Sequence, residues 1–363
     1  MVKIAWHSGT GNDFFVSLYV LNHADEFGLR PSWAAGVRSR LPTEQRDFLE
    51  QSQRFLRVPL TWLASLPQDK RDAKDVLSAL EVLAPEKRLE MLLLPHDAPP
   101  EMRETLADIS ARADWSAADL DLLRSSYARR NIALRSDSLM ALANAGKQPE
   151  VFGERYLEVL NTYYQVFFSE EEERIRPLLQ SGQEKAQEMA AGMAPGLLVE
   201  QLSRGVHLEQ IEELDELALS PSFWASPLIF FGVTGPKRGC MLFGIRTGPA
   251  GLVPGENVPE GLVETLKALA DPTRLRILRY LSEQPFTPSE LARRLRLRAP
   301  TVVHHLKELR LAGLVQVSFL VEGEKRYALR RDALRAMQSL LDEFLSGKMP
   351  VNQGPEHSGG LIE

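Results

Sequence analysis

The alternation of apolar and polar positions divides the chain unevenly. Residues 2–7, "VKIAWH", alternate as a half-buried strand does, and "SGTGN" interrupts them before a helical pattern in "DFFVSLYVLNHA". From about residue 32 to 216 the apolar positions recur at helical spacing, with turns at Pro42, Pro59, Pro67, Pro95 to Pro100, Gly146 to Pro149 and Pro195–Gly196. Within this stretch "SEEEER" (169–174) suits a helix start, since carboxylates favour the positive end of the helix dipole. Two strand-like runs follow, "SPLIFFGV" (226–233) and "GCMLFGIR" (239–246), joined by a Gly- and Pro-containing turn that suits a hairpin. The lone N-terminal strand needs partners, and this hairpin is the nearest supply. Residues 1–247 are therefore expected to form a mostly helical domain with a small antiparallel sheet that brings its two ends together.

Residues 248–261 hold seven Gly or Pro in fourteen positions and read as a linker. Beyond it, "VETLKALADPTRLRILRYLSEQ" gives two helices separated at "ADPT", where Asp271 can cap and Pro272 fits the first helical position. "TPSELARRL" (287–295) is a capping box, with Thr287 as cap and Glu290 three residues later. A short turn leads into a helix from about 299 to 312, ended by Gly313. Then "LVQVSFLVEGEKRYAL" makes two alternating strands around Gly323. The fold class is thus mainly α (α+β), with a C-terminal winged helix-turn-helix domain over 262–345. The polar, Gly-rich tail 346–363 is expected to be disordered.

The adjacent histidines in "APTVVHHLKELRLAGLV" (299–315) separate on a helical wheel. Val302, Leu306 and Leu309 cluster within about 60° and form the buried stripe. Opposite lie Pro300, Val303, His304, Lys307 and Leu311, with Thr301 and Arg310 at the flanks. His305 falls at the core edge, so the two imidazoles point apart and do not suit one metal ion. The outer face suits a helix laid in a major groove: Thr301 and His304 can reach base edges or phosphates, Val303 can touch a thymine methyl, and Lys307 and Arg310 suit the backbone. On the wing, Lys325 and Arg326 can reach phosphates, with Glu322 and Glu324 opposing.

Charge sharpens this picture. The net charge of −6 argues by itself against a nucleic-acid partner, yet residues 259–345 carry 15 Lys or Arg against 11 Asp or Glu, and six of the basic residues lie within 293–310 against Glu308 alone. Such asymmetry marks an electrostatic footprint for phosphates. Cys240 is the single cysteine, so an intrachain disulfide or a cysteine-based zinc site is excluded. No stretch is long and apolar enough to span a bilayer, and the start lacks the regions of a signal peptide; a cytoplasmic protein is expected.

Residues 262–330 resemble the winged-helix domain of the ArsR-type bacterial transcriptional regulators, through "LKALADPTRLRILRYL", "TPSELARRLRLRAPTVVHHLKELRLAGLV" and "VEGEKRYAL". The resemblance implies a dimeric repressor that reads a palindromic operator on double-stranded DNA through 299–312, with Arg298, Pro300, Thr301, Val303, His304, Lys307, Arg310, Ser289, Lys325 and Arg326 as candidate contacts. Two departures stand out: Arg298 occupies the usual small polar capping position, and Val303 a position that often holds serine. Metal-sensing members carry cysteines on the first helix-turn-helix element or Asp and His ligands on the final helix, and this chain has neither pattern. Leu334, Met337, Leu341 and Phe344 form a seam at alternating three and four spacing, suited to a partner helix in a homodimer.

The large N-terminal part resembles that of extended members of the group, which implies an effector-binding or dimerisation role. Tyr163, Tyr164, Phe167, Phe168, Trp224 and Phe230 could line an apolar effector pocket, although aromatic residues are more often plain core. His96 and His207 read as surface or packing residues. "HSGTGNDF" resembles the start of diaminopimelate epimerase, but that enzyme needs a pair of cysteines. The expectation is a non-enzymatic, sequence-specific DNA-binding regulator without cofactor; the alternative is a small-molecule-binding protein or enzyme whose C-terminal module serves association.

Overall fold

The computed structural model describes residues 2–27, 29, 31–130, 132–245, 260–319 and 325–346. The expected linker (but for 260 and 261), the wing turn with Gly323, Glu322 and Glu324, and the tail from 347 lie outside the described residues. The chain divides into two compact units, one of residues 1–203 and 210–245, the other of 204–209 and 246–363.

The first unit begins with strand β1 (Lys3–Trp6) and helix α1 (Gly11–Asn22). Helices α2 (Pro31–Arg38), α3 (Thr43–Gln53), α4 (Leu60–Ser65), α5 (Ala73–Val82), α6 (Pro85–Leu93) and α7 (Pro100–Arg112) follow. Next come α8 (Ala117–Arg129), α9 (Ser136–Lys147) and α10 (Pro149–Tyr163), then a π-helical turn (Tyr164–Phe168) that runs into α11 (Ser169–Ala190), and α12 (Pro195–Leu202). The mainly helical reading holds. Proline starts several of these helices at a position where its missing N–H costs nothing. Helix α1 is the central element: Phe14, Val16, Leu18 and Val20 are fully buried, and Phe14 meets Tyr163 and Phe168 edge-on or tilted at 5.7 and 5.2 Å.

The sheet of this unit corrects one expectation. Besides the hairpin of β4 (Ile229–Gly235) and β5 (Arg238–Gly244) it contains β3 (Glu216–Ser222), in the order β1-β3-β5-β4. Only the β4–β5 pair is antiparallel; β3 pairs parallel with both β1 and β5. The long helical excursion between β1 and β3 supplies the crossover that parallel pairing requires. The sheet does bring the two ends of the unit together.

The second unit contains α13 (Glu260–Leu269), α14 (Pro272–Leu281), α15 (Pro288–Leu295), α16 (Ala299–Leu311), β6 (Val315–Phe319), β7 (Lys325–Leu329) and α17 (Arg331–Leu345). Strands β6 and β7 pair antiparallel, and β2 (Val206–Leu208) joins β6 in parallel, so that six residues of earlier sequence complete this sheet. The core is continuous across Ile277, Leu281, Phe286, Leu291, Val302, Leu306, Leu309 and Leu314.

Candidate nucleic-acid interface

The frame of the site is set by caps. Asp271 accepts from the backbone N–H of Thr273 and Arg274 at 2.7 and 2.9 Å and starts α14, while the Arg274 guanidinium donates to the Lys267 and Ala268 carbonyls that end α13. Those backbone N–H groups, foremost that of Arg274, hold the Asp271 carboxyl below its ordinary range. The capping box of α15 is formed: Thr287 N–H donates to Glu290 Oε2 at 2.8 Å and Glu290 N–H to Thr287 Oγ1 at 3.2 Å. A two-way bridge between Phe286 and Tyr327, both bonds 2.9 Å, ties the start of this helix to β7.

Between α15 and α16 the chain turns through Arg296, Leu297 and Arg298. Arg296 adopts a left-handed backbone, φ +57°, and the N–H of Leu297 reaches back to the Ala292 carbonyl at 3.0 Å. This helix-turn-helix leaves Arg293, Arg294, Arg296 and Arg298 exposed in one short stretch. Arg294 also lies over the Phe286 ring at 4.5 Å.

On α16, Val302, Leu306 and Leu309 are completely buried, as the wheel places them. Pro300, Thr301, Val303 and His304 are exposed, with Val303 at 49% a large apolar side chain left in solvent. His305 is at the core edge, its side chain 14% exposed, with Nδ1 buried at 4.0 Å from Asp271 Oδ1 and without a hydrogen-bond partner among the described residues. The imidazoles of His304 and His305 thus diverge into different surroundings. Ser289 is exposed at the start of α15.

Other expected contacts are placed less freely. Lys307, Arg310 and Arg326 are half-buried. Burial lowers the Arg310 pKa against the neighbouring Tyr327; Lys325 is exposed at the start of β7, with its ammonium lowered by desolvation first and by Arg310 second. Arg310 is therefore half-buried, within electrostatic reach of Tyr327 and Lys325 on β7, rather than standing clear on the outer face. Arg293 at the end of α15 and Arg296 of the turn join the candidates on the strength of their exposure; their signal in the sequence is the basic run itself.

The helix-turn-helix domain family matches residues 269–318, the span from the end of α13 into β6. An uncharacterized HTH-type transcriptional regulator of Methanocaldococcus jannaschii is 39% identical over 64 residues, which cover 18% of this chain and 67% of that protein. The chain belongs to the HTH-type transcriptional regulators. The regulator's second unit therefore has both the fold and the family of a DNA-binding module, and the exposed turn and N-terminal half of α16 are its candidate reading surface.

Elsewhere in the regulator two expected sites take a different form. Tyr163 and Phe168 are fully buried, Phe167 and Trp224 nearly so, and Tyr163 donates to Ser17 Oγ at 3.0 Å while Tyr164 donates to Glu172 Oε2 at 2.7 Å. These residues are mostly core packed around α1 rather than the walls of one shared pocket: Phe230 lines the largest cavity described, of about 610 Å³, and Phe167 borders a separate, smaller one of about 350 Å³ beside Trp33 and Arg40. In the "GTGND" segment Asp13 is buried, accepting from Ser222 Oγ at 2.8 Å and Trp224 N–H at 2.9 Å, so it anchors α1 to the end of β3. Cys240 is buried and its thiol pushed up to about 12 by burial, which suits packing and opposes nucleophilic use. His96 and His207 are exposed. Among the described residues no cluster of three His, Cys, Asp or Glu could hold a metal ion, and no helix is long and apolar enough to cross a membrane.

Proposed function

We propose that the protein is a homodimeric winged-helix repressor that binds a palindromic operator, with α16 in the major groove and the arginine turn on the phosphate backbone. The observation that carries this reading is the turn itself. Arg296 holds a left-handed conformation that costs a non-glycine residue about 1–2 kcal/mol, and its exposed side chain gains no packing that would offset the cost. A cation kept at such a place suits a phosphate contact. Thr301, Val303 and His304 then face base edges, as the N-terminal residues of a recognition helix do, and Arg298 and Ser289 flank them toward the backbone. Lys325 and Arg326 would approach the duplex from the wing.

For the dimer, α17 supports the seam read from the sequence. None of its residues is buried: Leu334 packs onto the unit's own core and the helix meets α13, yet Met337, Leu341 and Phe344 stay half-exposed and Leu345 is 72% exposed. A two-fold pair would present its recognition helices to half-sites about one helical turn, roughly 34–36 Å, apart. Repression would follow from occupying the operator, and relief from an effector with different affinity for the free and bound forms. This reading assigns the chain no catalysis.

The decisive experiment selects bound sites from a random DNA pool with the full-length protein, then measures affinity for the selected duplex across salt. Expected are an inverted repeat and an affinity that falls steeply with salt. Arg296→Gly should make the plot of log K against log salt shallower by about 0.9 for each phosphate it leaves unneutralised. Enrichment of no sequence, together with salt-independent binding, would refute the reading.

A further inference from the structure

The cavity beside Phe230 has polar features that its aromatic walls do not require. It lies wholly within the first unit, between the segments 55–62, 91–97 and 228–233, and Tyr19, Tyr127 and Phe230 form part of its wall. Its volume, about 610 Å³, falls in the range of small-molecule sites, roughly 300–1,000 Å³. Phe230 stacks on Phe27 at 6.1 Å and meets Tyr19 edge-on at 5.5 Å, which makes a rigid apolar floor.

Donors collect at one side. Arg130 lines the cavity and gives one nitrogen, Nη2, to Asp97 at 3.3 Å, yet its Nε is buried without a hydrogen-bond partner among the described residues. Buried donors are nearly always satisfied, so a stranded guanidinium N–H in a side chain that lines a cavity points to an acceptor brought there by a ligand. Arg57 is exposed at the same cavity and has no ion-pair partner among the described residues. The Tyr127 hydroxyl lies within the field of both guanidiniums: burial raises its pKa, and Arg130 and Arg57 act to lower it. It too makes no hydrogen bond among the described residues. A third observation limits the charge of the missing group: Glu26 and Asp97 also border the cavity, so its four charged side chains sum to zero. A dianion would meet that balance poorly, whereas a single negative charge can sit on Arg57 while Arg130 remains paired.

We propose that this cavity binds a small molecule that joins an apolar body to one carboxylate, the body on the Phe230 floor and the carboxylate between Arg57, Tyr127 and Arg130 Nε. Planar guanidinium donors match carboxylate geometry, and such charge-assisted bonds are stronger than neutral ones. The site goes beyond the reading of the second unit as a DNA-binding module and stands without it.

The test uses the full-length protein in the absence of DNA, so that its failure and the failure of the DNA reading are separate results. Octanoate and phenylacetate are titrated calorimetrically against their neutral counterparts octanamide and phenylacetamide. Each acid is expected to bind about tenfold or more tightly than its amide. Arg57→Gln, an exposed change that leaves the fold intact, is expected to remove that preference, and Arg57→Lys to restore part of it. Arg130→Lys keeps the charge on Asp97 but deletes Nε, and is expected to weaken both acids while leaving the circular dichroism spectrum unchanged. Equal affinity for acid and amide, no effect of Arg57→Gln, or no saturation by any probe at millimolar concentration would each overturn the proposal.

Discussion

Asp13 offers the sharpest energetic test of the first unit. Its carboxyl is completely buried; Oδ1 accepts from Ser222 and Trp224, while Oδ2 is buried with no hydrogen-bond partner among the described residues. Desolvation outweighs these bonds and raises the pKa from 3.8 to about 7. Between those values the folded state holds a proton that the unfolded state has released, so stability falls as pH rises through this window and is flat above it for this group. At about 1.4 kcal/mol per pH unit, the burden of the charged form at pH 8 relative to acid is of the order of 4 kcal/mol. Asp13→Asn keeps an acceptor oxygen for Ser222 and Trp224 and cannot ionise, so its stability relative to the parent should rise by about that amount between pH 4 and pH 8. His7 opposes Asp13 in the parent: burial, and then Arg71, lower its pKa to about 4, so its contribution grows as pH rises from about 4 to 6.5. The comparison between variants cancels it. All five tryptophans, Trp6, Trp33, Trp62, Trp115 and Trp224, belong to the first unit, so urea unfolding followed by tryptophan fluorescence at each pH reads this unit alone. Parallel stability curves for the two proteins across pH 4 to 8 would refute the assignment of a strained, proton-binding carboxyl.

Three further outcomes are expected. Gly205→Val should loosen the second unit's sheet: φ is +93° there, a Cβ would stand 2.7 Å from Arg330 Cδ, and the Gly205 carbonyl accepts from Val317 N–H at 3.1 Å, so hydrogen exchange at Val317 should accelerate. Leu306→Ala empties a fully buried position and should cost about 2–5 kcal/mol, whereas Val303→Ala, 49% exposed, should change stability by less than about 0.5 kcal/mol; native-state hydrogen exchange of the α16 amides separates them. Phe344→Glu should shift sedimentation from dimer to monomer with no loss of helix, because no residue of α17 is buried within the protomer.

How much of this was legible in the sequence depended on how local the signal was. The helix-turn-helix was readable because Thr287 and Glu290 cap each other across three residues and Val302, Leu306 and Leu309 repeat at helical spacing. Strand β3 was not, because it pairs on both edges and six of its seven residues are buried; a strand covered on both faces loses alternation, and "ELALSPS" carries Ser and Pro where β-branched residues are usual. Strand β2 is three residues long and exists only through its pairing with β6, more than a hundred residues later. The cavity was misplaced for a related reason. Clustered aromatics in "YLEVLNTYYQVFF" reported a well-packed core, while the open space arose where distant segments meet around Arg57 and Arg130.

The same distinction sorts the candidate contacts with DNA. A helical wheel assigns Thr301, His304, Lys307 and Arg310 alike to the outer side of α16, since it knows nothing of β7. In the fold they separate: Lys307 and Arg310, in the C-terminal half of the helix, are half-buried, whereas Pro300, Thr301, Val303 and His304 stand open. Arg310, lowered by burial beside Tyr327 and itself lowering Lys325, is better placed to hold the wing against the helix than to meet bases. Two kinds of defect should follow. Thr301→Ala and His304→Ala should relax sequence preference in a selection experiment while leaving the melting temperature unchanged. Arg310→Gln should weaken binding to every duplex with the preferred sequence unaltered, and should increase hydrogen exchange in β6 and β7. If Arg310→Gln instead altered base preference in a stably folded protein, the recognition surface would have to extend along the whole of α16, and this division would fall.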